Sequence, residues 1–325
     1  MQNYREIAQE LKQRIKTGKY SPDAPLPSRV EFMREFKVAR ATLDRAIREL
    51  VLSQLVYSRR GAGTYINKKS VHRVKILIIG NPSMENLLNC RLLYHVIMPS
   101  ELNEKSSWVQ LYDYDGLLWF CPSSSLMPII QEMHHKIPQV ILNRVLPNYD
   151  CVSTDHREAY RKITEERITK NPTGIPIFLK MEQESMPSND RFSGFTDACR
   201  AAKKFYEIFY LKDSFSQKIT QLKKSFALLP PHQPRLIFSD SLYHTGAVMQ
   251  IAKTLNWQWG KTHFYNDFDN SYPDTVWGIK ITSFIQDYNK LIQIGTQDLE
   301  KLIACGNTCT GIQRLLFPQK INGDT

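Results

Sequence analysis

Apolar positions in the first 66 residues fall into three helical stripes and a hairpin. Tyr4, Ile7, Ala8, Leu11 and Ile15 share one face of a first helix, with Gly18 as a stop and Pro22 and Pro25 beyond it. Pro27 precedes Ser28-Arg29-Val30-Glu31, a capping box that opens a short second helix carrying Phe32, Met33 and Phe36. After a turn at Lys37-Val38, Leu43, Ala46, Ile47 and Leu50 line one side of a third helix, leaving Arg40, Ala41, Asp44, Arg45 and Arg48 on the other. The run 55–58, the glycine-bearing tip Arg59-Arg60-Gly61-Ala62-Gly63 and the run 64–66 read as a two-stranded hairpin.

Beyond residue 74 the pattern changes. Short β-rich runs at 74–79, 116–120, 139–142, 174–179, 236–238 and 263–265 alternate with helical stretches at 86–98, 126–135, 157–169, 191–209, 213–226, 243–255 and 287–304. Strands separated by helices predict parallel α/β sheets, whose ligands bind off the carboxyl ends of the strands. Asn67-Lys68-Lys69-Ser70 breaks the first pattern, so a domain at 1–68, a linker at 69–73 and a large domain at 74–325 are expected.

Charge sharpens this division. The chain has 325 residues, 43 Lys plus Arg and 32 Asp plus Glu, a formal +11. Residues 1–70 hold 15 basic and 7 acidic side chains, a net +8, which leaves +3 for the remaining 255. The excess therefore belongs to the small module, and its outward helix face and hairpin tip are the places where a polyanion would be met. The longest apolar run, 74–79, is too short to cross a bilayer, and no apolar stretch of a secretory signal opens the chain, so a cytoplasmic protein without membrane contact is expected.

Three helices with a tight turn before the third, closed by a basic hairpin, are the parts of a winged helix-turn-helix, whose third helix enters the major groove. The ordered run from Tyr4 and Ile7-Ala8 through Leu26-Pro27-Ser28, Phe36-Lys37-Val38-Ala39-Arg40-Ala41-Thr42 and Arg59-Arg60-Gly61-Ala62-Gly63-Thr64-Tyr65 resembles the GntR family of bacterial transcription regulators. The resemblance implies operator contact through Ser28, Arg29, Arg40, Ala41, Thr42, Asp44, Arg45, Arg48, Arg59, Arg60, Gly61, Gly63 and Thr64. Arg59 and Arg60 would meet phosphates or the minor groove, and Arg40 would read a base. This chain departs from the family pattern where Ala39 replaces a capping Ser, where Arg29 and Val30 follow Ser28, and where Asp44 stands in place of a second base-reading arginine. Asp44 either accepts from a cytosine amine or pairs with Arg40 and Arg48 at helical spacing.

The large domain resembles the LacI-type effector domain, which shares the two-lobed fold of type I periplasmic sugar-binding proteins. Asp115-Gly116-Leu117-Leu118, 137–144, Val152-Ser153-Thr154-Asp155, Arg191-Phe192-Ser193-Gly194-Phe195, 234–240, 265–269 and 281–288 carry that likeness in order. It implies ligand contact by Asn143, Arg191, Ser239, and Asp267 or Asp269, a set whose guanidinium and carboxylates suit vicinal hydroxyls. Only 35 residues separate Ile79 from Asp115, so the first lobe is expected to be reduced, its second helix missing.

Other chemistry is not indicated. Six Cys lack paired spacing, adjacent His134-His135 do not share a helix face, and Trp257-Gln258-Trp259 reads as packing. No cofactor, metal or catalytic constellation is expected. The whole predicts an α/β protein with an N-terminal winged helix-turn-helix and a periplasmic-binding-protein-like domain of mainly parallel sheets. Its expected role is a homodimeric regulator of double-stranded operator DNA, most simply a repressor, answering to a small-molecule effector, a sugar. The alternative is a ligand-independent dimer whose large domain serves assembly only.

Overall fold

The computed structural model describes residues 3–16, 19–21, 23–53, 55–59, 61–67, 74–83, 87, 92–183, 185–230, 232–271, 278–306 and 308–325. The N-terminal elements are α1 (Tyr4–Lys16), α2 (Arg29–Phe36), α3 (Arg40–Leu52), and the antiparallel strands β1 (Val56–Arg59) and β2 (Gly63–Ile66). Ser28 and Glu31 form the capping box reciprocally, and Lys37 closes α2 in the left-handed conformation at φ 52°. Ala39 opens α3 with no side-chain cap. Ile7, Leu11, Phe32, Leu43, Ile47 and Leu50 meet Val56 and Ile66 in one core, each fully buried side chain contributing about 1.5–3 kcal/mol.

The rest of the chain builds two sheets. The first has the order β13-β7-β6-β5-β3-β4, all parallel, from β3 (Lys75–Ile79), β4 (Leu93–Ile97), β5 (Gly116–Phe120), β6 (Gln139–Leu142), β7 (Cys151–Thr154) and β13 (Gln313–Leu316). The second has the order β14-β12-β11-β10-β8-β9 from β8 (Ile175–Met181), β9 (Glu207–Leu211), β10 (Arg235–Ser239), β11 (His263–Phe268), β12 (Thr282–Ile285) and β14 (Gln319–Ile321). Only its β12–β14 pairing is antiparallel. Central strands such as β3 and β10 are apolar almost throughout because both of their faces are covered. Helices α4 (Met127–Met133) and α9 (Tyr288–Cys305) pack in the first lobe, and α5 (His156–Lys170), α6 (Met186–Ala201), α7 (Phe215–Ala227) and α8 (Thr245–Thr254) in the second. The chain passes between lobes after β7, after β12 and between β13 and β14, so three short segments join them.

Two of the expected helical stretches are built differently, and strands β7, β12, β13 and β14 lie outside the expected β-rich runs. The stretch 86–98 was expected as one helix, but its described part contains the edge strand β4, whose half-exposed residues blur the strand signal. The stretch 191–209 is α6 followed by β9; Lys203, at φ 52°, takes the left-handed turn usually given to glycine, so no glycine marks the stop. The reduced first-lobe connection consists of two 3-10 helices, Pro99–Leu102 and Lys105–Asp113. Trp257 stacks on His263 at 4.3 Å, and Trp259 meets Trp257 edge-on. The linker 69–73 lies outside the described residues.

Candidate functional site

The third helix is built to present charge outward. With Leu43, Ala46, Ile47 and Leu50 buried, Arg40, Ala41, Arg45 and Arg48 are exposed, while Thr42 and Asp44 are half-buried. The Arg40 side chain is 77% exposed and lies 3.6 Å from Asp44. Arg45 rests over the Tyr4 ring at 4.5 Å, so its guanidinium is steadied from α1.

Arg29 turns toward the protein. Its Nε lies 3.2 Å from Asp44 Oδ1, and Nη1 donates to Thr64 Oγ1 at 2.9 Å, joining α2, α3 and the wing. Thr64, itself 4% exposed, also meets Ser58 Oγ at 3.3 Å. Asp44 thus pairs with Arg29 and Arg40; of the two readings the sequence leaves open, the pairing one names Arg40 and Arg48 and only Arg40 is found. Arg29 and Thr64, expected on the operator, form an internal brace, and Ser28 is engaged in capping.

In the wing, Arg59 pairs across from Gly63 and lies over the Tyr57 and Tyr65 rings at 5.6 and 5.3 Å. The two rings stack at 5.9 Å and hold the cation at the hairpin tip. Gly61 at φ 75° makes the turn. A Cβ on Gly63, at φ 113°, would sit 3.2 Å from Pro25, so this glycine serves both backbone conformation and close approach. Arg60 lies outside the described residues.

Between the lobes is a cleft of about 970 Å³. Cys121 after β5, Asn143 after β6 and Asp269 after β11 all line it, and all are left-handed, at φ 50°, 57° and 64°. Such residues cost of order 1–3 kcal/mol each, a strain that commonly marks binding sites. Asn143 Oδ1 accepts from the Thr154 amide at 3.4 Å, and its Nδ2 faces Cys121 Sγ at 3.7 Å. Asp269 accepts the Tyr288 hydroxyl proton at 2.6 Å; Gln286 donates to Tyr288 at 2.7 Å and accepts from Thr154 Oγ1 at 2.9 Å. This chain of bonds runs across two of the interlobe crossings.

Arg191 sits deep in the cleft wall, 8% exposed. Its Nη1 donates to the Asp240 carbonyl, Nε faces His156 Nδ1 at 3.3 Å, and the guanidinium lies 3.7 Å from the Phe268 ring centroid. Burial, then the charges of Arg191 and Arg144, hold His156 well below the ordinary histidine range. Asp240 accepts from Ser188 Oγ at 2.5 Å and the Met181 amide at 3.2 Å, and pairs with His244 at 3.0 Å. Burial alone would raise its carboxyl; the bonds from His244, Ser188 and Met181 outweigh that and keep it below the usual range.

Ser239 and Asp267 do not line the cleft. Ser239 is fully buried and donates to the Ser241 carbonyl at 2.6 Å, shaping the loop beneath the wall. Asp267 is also buried and accepts from Thr245 at 2.7 Å and Asn270 at 2.9 Å. Residues absent from the expected site line it as well, among them Cys121, Arg144, Lys218, Asp240, Gln286 and Tyr288. The signal for Arg144 was present, since it follows Asn143 at a strand end.

The arrangement can recognise ligands by hydrogen bonds and charge; no metal-holding cluster is present among the described residues. It defines a winged helix-turn-helix joined to a two-lobed α/β cleft fold. Residues 3–66 match the family described as bacterial regulatory proteins, gntR family, and the N-terminal module is a GntR-type helix-turn-helix domain. The chain is 31% identical over 104 residues to the HTH-type transcriptional regulator GmuR of Bacillus subtilis, 31% of this chain and 44% of that protein. It is 37% identical over 70 residues to the transcriptional repressor NagR of the same organism, 22% of this chain and 29% of that protein. The matches thus span less than half the length of either relative. The large module has the fold of LacI-family regulators: a LacI family transcriptional regulator from Enterococcus faecium with bound ribose superposes with a TM-score of 0.57 at 11% identity, covering 77% of this chain and 97% of that one.

Proposed function

We propose that this protein is a sequence-specific DNA-binding transcription regulator, a repressor, whose operator affinity is set by a small polyhydroxylated molecule in the interlobe cleft. The observation that carries this reading is the pairing of an outward basic helix with a cleft walled by strained strand ends. Residues 1–68 serve as reader, 69–73 as linker and 74–325 as sensor and dimerisation module, working in the cytoplasm. Two copies would set two recognition helices on an approximately palindromic site. The exposed Leu93, Val96 and Met98 on and beside edge strand β4 support self-association. The repressor and sugar assignments draw on the names of NagR and the ribose-bound neighbour.

Arg40 is assigned to base readout, Ala41, Asp44, Arg45 and Arg48 to the groove-facing surface with Thr42 at its edge, and Arg59, Arg60, Gly61 and Gly63 to the backbone. Ligand closure must favour one dimer arrangement over another, since a ligand with equal affinity for both shifts nothing. Mapping of binding sites across the genome supplies the operator. On that site Arg40→Ala is expected to weaken binding by about 1–3 kcal/mol and relax one base preference; equal loss on random DNA refutes base readout.

A further inference from the structure

The cleft's charge inventory narrows its occupant. Arg144 lies on the wall just after left-handed Asn143, and Nη1 donates to the Asn143 carbonyl at 2.6 Å. No carboxylate among the described residues comes within ion-pair distance of it. Arg191 donates to a backbone carbonyl and faces an imidazole, and Lys218, 5% exposed on the opposite lobe, has its Nζ 3.2 Å from the Tyr243 carbonyl. Three cations therefore line the cleft with hydrogen bonds to uncharged acceptors.

Among the described residues the acids act on Arg191 and Lys218 through space, without forming an ion pair with either. Asp240 is occupied by Ser188, Met181 and His244, and Asp269 by Tyr288. Asp213 is exposed, and Asp190, half-buried, influences Arg191 and Arg144 through space without an ion pair. The lining thus carries three cations against three carboxylates, and among the described residues Arg144 is a cation with no carboxylate within ion-pair distance. Hydroxyls alone would leave the half-buried Arg144 guanidinium without a direct counter-charge, whereas an oxyanion would form charge-assisted, bidentate bonds with it. The N-terminal end of α6, at Ser185 and Met186, opens on the same cleft and adds to the positive potential.

Resting on the sensor reading above, we infer that the effector is an anionic sugar, one bearing a phosphate ester or a carboxylate beside its hydroxyls, with Arg144 as its principal counter-charge. The test is calorimetry on the full chain with ribose 5-phosphate, gluconate, ribose, glucose and inorganic phosphate, accompanied by operator gel shifts. At least one of ribose 5-phosphate and gluconate is expected to bind at least tenfold more tightly than its neutral counterpart, and which one binds identifies the source of the charge. Arg144→Met should weaken that binding at least tenfold and Arg144→Lys should restore part of it, while the ligand-free melting temperature of both variants stays at or above that of the parent.

Ribose or glucose binding as tightly as the charged forms, and insensitive to Arg144→Met, overturns the inference; if that sugar also shifts operator binding, the sensor reading stands. Inorganic phosphate matching the ester overturns the sugar class. Silence from every compound overturns both the inference and the sensor role, with operator binding in the gel shift still reporting on the reader. A ligand-free melting temperature that drops in both variants marks Arg144 as structural and overturns its assigned role.

Discussion

Gly194 offers the sharpest test of how the ligand wall is built. It lies one turn beyond Arg191 on α6, where that helix meets α5. A Cβ there would fall 2.0 Å from the Arg157 carbonyl oxygen and 2.9 Å from the Arg161 amide nitrogen, both backbone atoms of α5. Restoring an ordinary contact requires the helices to part by roughly 1 Å, and a gap of that size forfeits about a quarter to a half of each dispersion contact around it. The affected core includes Ala159, Tyr160 and Ile163 against Phe195 and Cys199. Overpacking typically costs about 1–3 kcal/mol, and an obstruction made of backbone belongs at the upper end. Alanine in a helix returns about 1 kcal/mol of propensity. Gly194→Ala is therefore expected to destabilise by about 2 kcal/mol, a fall of roughly 4–8 °C in melting temperature for a module of this size. Differential scanning calorimetry of the full chain measures it. A melting temperature unchanged or raised would mean that propensity prevails and that the two helices are not held at this separation.

The remaining predictions concern the reader and the acid limb. Arg59→Met is expected to lower affinity on all DNA sequences and to reduce the salt-dependence slope by about 0.9, the value for one lost phosphate contact; an unchanged slope in titrations across salt moves Arg59 off the backbone. Asp44→Asn should raise affinity for random DNA while costing less than about 1 kcal/mol in stability, because the pair is partly exposed; loss of preference at a single C·G position would show instead that Asp44 reads a cytosine amine. His263 is pushed down to about 4 by burial and Arg235, and His156 is pushed down by burial and two arginines. Unfolded histidines take up protons as pH falls through about 6.5 while these do not, so stability should be complete above that value and decline from pH 6.5 toward 5. His263→Gln should flatten this limb in urea melts, and an equal limb in the variant would remove His263 from its cause.

The winged helix was legible because its signals are local and successive: a capping box, a periodic apolar face, a glycine pair at a hairpin tip. Each names its own element without help from distant residues. The large module yielded its architecture and part of its wall, Asn143, Arg191 and Asp269. Strand ends were found, yet Ser239 and Asp267 were placed in the site although both are buried below it. Neighbours on a strand ordinarily point to opposite faces, which would set Arg144 away from the side that Asn143 occupies. The left-handed turn at Asn143, a residue type that tolerates this conformation, breaks that alternation and lets both residues line the cleft. The Arg29 brace is illegible for a related reason: its partners, Asp44 and Thr64, are 15 and 35 residues away and meet it only after folding.

The Arg29 brace bears on how such a reader could acquire a new operator. Exchanging Asp44 for an arginine, the simplest graft onto this helix, would place three guanidiniums where Arg29 and Arg40 now share one carboxylate, and would leave Arg29 held by Thr64 alone. Positions 29 and 44 are therefore coupled in the fold, and a charge change at one is expected to need a matching change at the other.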